Sequence, residues 1–318
     1  MPHTNNVMYW IMILVSFGSI HASAEPFAKG PYLGQTPPGS TAQVFAPGLI
    51  SDTQPQTWES NGTFSADGNM FCYLRGSVHR SGRVGGVFII EKTSQGWTAP
   101  KLIESIQSNQ HSTWAPYLAP DANSIYFTRA LLKQASTANL YRCDRTAFVW
   151  GDPQVLGPPL SSPAAEWACS IAADNSFYIA STRKGGHGSG DVWHVPFIDN
   201  TWSQAINLAG INTRHSDGAP GVAPDESFLV FNSVRPGGVG GADLYLSLRQ
   251  PDGTWTAPRN LGPRVNSAYL DICPHISPDK KYMFFTRSNG FDPRKNSADI
   301  YWVALKEYLP NPNDSRKN

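Results

Sequence analysis

Four carboxylates and one threonine stand at matched places in this chain: Glu59, Thr113, Glu166, Asp217 and Asp271 each lie eight residues before an aspartate in a turn-like segment. Five arginines, Arg75, Arg129, Arg183, Arg235 and Arg287, follow those turns at similar intervals. Acids and guanidiniums gathered at one mouth can bind a polar ligand, and two carboxyls at suitable separation are what glycoside hydrolysis needs. A residue repeated in every unit more often does the same structural job in each. Arg183, Arg235 and Arg287 lead into loops that end at Asp191, Asp243 and Asp299, so Arg to Asp bridges within each unit are expected. Arg75 and Arg129 lack that aspartate and are the freer pair. Departures from regularity are the better ligand candidates, and Trp114 and Trp167 are such departures, one residue after the axial position. Indole faces stack on sugars, or pack on a neighbouring unit.

The elements that must position these residues follow from the repeat. The turn recurs as FSADGNMFCYL, LAPDANSIYFT, IAADNSFYIAS, VAPDESFLVFN and ISPDKKYMFFT, with Asp67, Asp121, Asp174, Asp225 and Asp279 spaced 54, 53, 51 and 54 apart. A tryptophan segment recurs as GWTAPKLI, VWGDPQVL, TWSQAINL and TWTAPRNL, its Trp97, Trp150, Trp202 and Trp255 spaced 53, 52 and 53 apart. Between them lie VFII, NLYRC, DVWHV, DLYLS and DIYWV, each after a loop rich in Gly, Ser or Asn. Each unit therefore holds four short strands, for example 219–223, 228–232, 243–248 and 255–261. Four-stranded units of about 50 residues repeated around an axis are the signature of a β-propeller. The expected fold is all-β, a five-bladed propeller in one domain over 25–308. The fifth unit lacks a tryptophan strand, and AQVFAPGLIS (42–51) echoes the missing segment with Phe45 in the Trp position. That segment is expected to close the ring on the last blade, which spans 270–305, and so remove an open sheet edge.

On ISPDKKYMFFTR with ADIYWV, and VAPDESFLVFN with ADLYLSLR, the chain resembles the TolB-type, WD-like propeller repeats of exported proteins. The resemblance weakens in the second unit, where Asn139 replaces Asp, and in the first, where GGVFII lacks both Asp and Tyr. It implies a propeller and little about function, since such propellers serve as docking platforms, peptidase partners and polysaccharide-lyase scaffolds.

Other patterns narrow the chemistry. The loop GGVGGAD is followed by an alternating strand and recurs as GRVGGV and GGHGSGD, so it is a connection between strands rather than a phosphate loop. No cofactor is expected. His111, His215 and His275 lack metal-ligand spacing, and no metal is expected. Ser189 is in no nucleophile elbow. Cys72, Cys143, Cys169 and Cys273 sit in separate apolar strand patterns and read as buried thiols. Lys+Arg 25 against Asp+Glu 24, without a basic run, excludes an electrostatic footprint for nucleic acid. Residues 8–20 are apolar, too few to span a bilayer, and precede the small-x-small Ala22-Ser23-Ala24. Residues 1–24 thus read as an export signal, 309–318 as a polar tail, and the chain as a periplasmic or secreted monomer without a membrane span. Because each polar group at the mouth also has a structural role, the expectation is a non-catalytic binding module for a protein or carbohydrate ligand. Its ligand-binding residues would be Glu59, Arg75, Trp114, Arg129, Glu166, Trp167, Asp217 and Asp271. The alternative is a glycan-active enzyme, hydrolase or lyase, using the axial carboxylates.

Overall fold

All five turn aspartates do the same local work. In each, Oδ1 accepts the backbone N–H two residues on, from Asn69, Asn123, Ser176, Ser227 and Lys281 at 2.9–3.2 Å. The residue between takes a left-handed backbone: Gly68, Ala122, Asn175, Glu226 and Lys280 have φ of 67, 58, 70, 56 and 58°. An aspartate that satisfies the turn's N–H is what lets non-glycine residues stand there.

The computed structural model describes residues 26–51, 57–79, 82–290 and 296–310. The expected export signal lies outside these residues, as does the tail beyond 310. The chain is all-β. Strand β1 (Gln43–Val44) comes first. The first meander is β2 (Thr57–Phe64), β3 (Met70–His79), β4 (Gly82–Glu91) and β5 (Lys101–Leu102). The second is β6 (His111–Leu118), β7 (Ser124–Leu131) and β8 (Asn139–Thr146), with β9 (Val149–Trp150) and β10 (Gln154–Val155) both pairing with β8. The third is β11 (Glu166–Ile171), β12 (Phe177–Ser181) and β13 (Asp191–Val195), a small hairpin β14 (Phe197–Ile198) and β15 (Thr201–Trp202), then β16 (Ile206–Asn207). The fourth is β17 (Asp217–Val222), β18 (Phe228–Ser233), β19 (Asp243–Leu248) and β20 (Arg259–Asn260). Last come β21 (Leu270–Ile276), β22 (Tyr282–Ser288) and β23 (Ala298–Ala304).

The fourth strand of each unit is shorter than expected. Trp255 only bridges Arg249, and pairing resumes at Arg259 and Asn260, after Pro258. A proline offers no N–H to the ladder, so WTAP breaks the strand. On β23, Trp302 and Tyr301 face Gln43 and Val44 of β1 in antiparallel register. Phe45 follows, fully buried among Phe64, Phe71, Phe284 and Trp302. The first strands β2, β6, β11, β17 and β21 pack successively on one another, and β21 also touches β2. Each carries a register shift near its middle. At that shift Asn61, Ala115, Ala219 and Cys273 take positive φ. Such bulges bend the strand and re-aim its side chains.

The core lies between units, as layers such as Phe228, Val230, Leu244 and Leu246 against Ile276, Met283 and Val303. The four cysteines are free thiols. Burial raises the thiols of Cys169 to about 12 and Cys273 to about 11, so both are held protonated and unreactive. Among the described residues no helix is long and apolar enough to cross a membrane.

Candidate functional site

Four of the five repeated arginines, all but Arg129, turn inward to a carboxylate on the first strand of their unit. Arg75 Nε donates to Glu59 (3.1 Å), Arg183 Nη2 to Glu166 (3.3 Å), Arg235 Nη2 to Asp217 (2.6 Å) and Arg287 Nε to Asp271 (2.7 Å). Their guanidiniums also reach back to a carbonyl of the preceding segment: Ile50, Leu160, Ile211 and Val265. Each lies over the aromatic rings of its own sheet, as Arg235 does over Tyr245 at 4.7 Å and Arg287 over Tyr301 at 4.3 Å. The tyrosine of the D-[LI]-Y strand is thus the shelf on which the guanidinium rests.

This corrects the expected bridges from Arg183, Arg235 and Arg287 to Asp191, Asp243 and Asp299. Asp191 instead accepts from the backbone N–H of His187 and Gly188 and from Asn207 Nδ2. Asp243 accepts in the same way from Val239, Gly240 and Asn260. The glycine loop is therefore an anion cradle, and the anion is the chain's own carboxylate. Its glycines are needed for close approach: a Cβ on Gly240 would stand 2.1 Å from Ser267 O, and one on Gly188 2.0 Å from His215 O. Of Asp299, whose loop partly lies outside the described residues, no bridge to Arg287 is seen.

The axial acids are deeply placed. Glu59 is 1% exposed, and Glu166, Asp217 and Asp271 are 0%. The second oxygens of the two aspartates are held as well, Asp217 by the N–H and hydroxyl of Thr213, Asp271 by those of Ser267, whereas Glu166 Oε2 has no hydrogen-bond partner among the described residues. Glu166 accepts from the hydroxyls of Ser162 and Ser181. Burial raises the carboxyls of Glu166 and Asp271, against the pull of their hydrogen bonds and arginines. Trp114 and Trp167 are half-buried and pack on Ala130, Ala138 and Ala165 between the second and third units. His275 is inside the axis: its Nε2 accepts the N–H of Phe64 and its ring meets Tyr117 edge-on. Burial pushes its imidazole down to about 3. His111 opens β6 and His215 lies on a loop, and no cluster of three metal-ligating side chains occurs among the described residues.

The second unit breaks the pattern. Thr113 takes the acid's place, and Arg129 reaches its Oγ1 at only 3.4 Å, while Nη2 donates to Ile106 O at 2.5 Å. Beside this break a cleft of about 270 Å³ opens between the first and second units. Trp58, Arg75, Gln107, Asn109, His111 and Thr113 are among the residues that line it. His111 Nδ1 is held by Ser108 Oγ at 3.0 Å, and its Nε2 has no partner among the described residues. Among the described residues no carboxylate lines this cleft. Sequence reasoning placed Arg75, Arg129 and Thr113 near one mouth but missed the cleft, because its wall is the connection 106–109, which lies outside the turn and strand motifs.

No family model matches the chain, and no curated protein does. Solved structures do. A glycoside hydrolase aligns with TM-score 0.50 at 10% identity over 84% of this chain and 92% of its own. An alpha-L-arabinofuranosidase from Lactobacillus brevis aligns with TM-score 0.51 at 13% identity over 79% of this chain and 92% of its own. The alpha-L-arabinofuranosidase from Podospora anserina, solved with cellotriose, gives TM-score 0.48 at 11% identity over 88% and 97%. The first two likenesses show the fold: it is a β-propeller. They also overturn the expected non-catalytic binding module. That expectation rested on the absence of visible chemistry in such a funnel, yet the proteins that share the fold to this degree are named for hydrolysis.

Proposed function

We propose that the chain is a glycan-active enzyme built on a five-bladed propeller, and that its substrate lies in the cleft between the first and second blades. The observation that carries this is the cleft itself, an indole, a guanidinium, an amide and an imidazole around one cavity. Trp58 offers an apolar face, Arg75 a cation fixed from behind by Glu59, and His111 a free ring nitrogen for proton transfer. The buried axial acids serve as structural counter-ions in this reading, and Trp114 and Trp167 as packing between blades. The fold shared with an arabinofuranosidase and a glycoside hydrolase is consistent with carbohydrate as ligand.

Support for the ring comes from the Ile50 carbonyl. It receives Arg75 just as Ile106, Leu160, Ile211 and Val265 receive the arginines of the other units. The segment 42–51 so takes the part of the missing outer strand of the fifth blade, in TolB-type repeats that form a single domain over 25–308. Export by residues 1–24 would bring the enzyme to polymeric glycans of the periplasm or beyond it.

The test is a screen of arabinan, xylan and pectic oligosaccharides, read both as new reducing ends and as new carbon–carbon double bonds in the sugar. Turnover is expected, reduced roughly 100-fold or more in His111→Gln at unchanged melting temperature. Full activity in that variant would move the chemistry out of the cleft, and absence of turnover on every glycan class would refute the enzyme.

A further inference from the structure

In four blades a half-buried arginine meets a buried acid; in the second a buried arginine meets Thr113. Arg129 is only 8% exposed and lies over Phe127 and Tyr141. Its Nη1 has no partner among the described residues. Elsewhere the position it faces is a complete carboxylate site. Asp217 takes Arg235 on one oxygen and Thr213 on the other, and Asp271 takes Arg287 and Ser267. In the second blade the residue at the matching place, four before Thr113, is Asn109, and both it and Thr113 line the cleft. The repeat thus builds a receptor for a carboxylate and in this one blade supplies no carboxylate to fill it. Both hydrogen-bond partners of Arg129, Thr113 and Ile106, line the cleft, and the Arg75 that lines it is paired with Glu59.

We propose that Arg129 and Thr113 form a carboxylate-binding subsite, and that the glycan bound in the cleft carries a uronic acid at this point. The inference rests on the glycan-active reading for the nature of the ligand, and on the geometry alone for its charge. A carboxylate entering from the cleft takes the place of the acid that the other blades carry. It offers one oxygen to the guanidinium and the other to Thr113 and the 106–109 loop. A neutral sugar leaves that buried cation without its counter-ion.

The experiment is a calorimetric titration with three probes: a trimer of galacturonic acid, the neutral galactose trimer, and a glutamate peptide of equal charge. The uronate trimer is expected to bind at least ten-fold more tightly than the neutral one. In Thr113→Glu, which installs the acid found at Glu59 and Glu166, that preference disappears while the melting temperature is kept or raised. Arg129→Lys, which keeps the charge but loses the planar fork, is expected to weaken the uronate trimer alone. Equal affinity for both trimers overturns the subsite and leaves the glycan reading standing. Binding of the peptide through Arg129 with neither sugar bound keeps the subsite and removes the glycan. Binding of none of the three refutes both.

Discussion

Two arginines one blade apart in kind make opposite demands on stability. Arg235 neutralises Asp217, which has no exposure and no other cation. Removing the guanidinium strands a buried charge, so Arg235→Ala is expected to cost about 3 kcal/mol in urea unfolding. Arg129→Ala strands only the Ile106 carbonyl and is expected to cost about 1 kcal/mol, because no carboxylate depends on it. Equal losses in the two variants would mean that the Thr113 position is not the exception described. His275 carries a second expectation at this scale. Burial holds its ring neutral down to about pH 3, whereas in the unfolded chain it protonates below its ordinary value of 6.5. Within that window the unfolded state binds the extra proton, so this residue destabilises the fold as pH falls from 6.5 towards 3, at up to about 1.4 kcal/mol per pH unit. His275→Gln keeps an acceptor for the Phe64 N–H and is expected to flatten the melting-temperature profile over that range.

Among the elements, the glycine loops between second and third strands are the most exacting. Gly240 has no room for a side chain beside Ser267 O, and its own N–H holds Asp243. Gly240→Ala is expected to cost about 2 kcal/mol or more, the loss of a buried hydrogen bond as the loop shifts to relieve the overlap with Ser267 O, measured by thermal unfolding. Gly237, with positive φ and open space around it, is expected to tolerate Asn at a small fraction of that cost. These loops also show how far the sequence could be read. Their place between strands follows from repetition, and so do the aspartate turns and the strands around them. The partner of each loop aspartate does not. From order along the chain, Arg183 and Asp191 look adjacent. In space the bulge at Glu166 turns an acid from the neighbouring strand towards the guanidinium, while the loop's own N–H groups fold onto Asp191. Nearness in sequence favoured the wrong pair because the competing donors were backbone, which every residue carries and no motif marks.

At the scale of the whole molecule, the first and last repeats depend on a segment far away in the chain. Phe45 stands where the other units have tryptophan, and its ring lies 5.0 Å from Phe284 and 5.2 Å from Trp302 of the last unit, and 5.4 Å from Phe71 of the first. The residues that bring it there add few bonds of their own: β1 gives two paired positions, Phe45 N–H donates to Ile300 O, and Ser51 and Ile50 sit buried beside it. The proposed ring, held this way, has one joint without a covalent turn. Across that joint lie also a parallel bridge, Trp58 to Ala298, and hydrogen bonds from Asn61 N–H to Thr286 Oγ1 and from Phe64 N–H to His275 Nε2. Phe45→Ala removes a fully buried aromatic that touches both sides, at an expected cost of 3–5 kcal/mol. If the joint is the weak point of the proposed ring, the loss is not evenly felt. Hydrogen exchange in Phe45→Ala is expected to speed up in β2, β22 and β23 by several orders of magnitude more than in β12, on the far side of the axis. Uniform acceleration across all five blades would instead show that the propeller opens as a whole and that its seam is no weaker than its other interfaces.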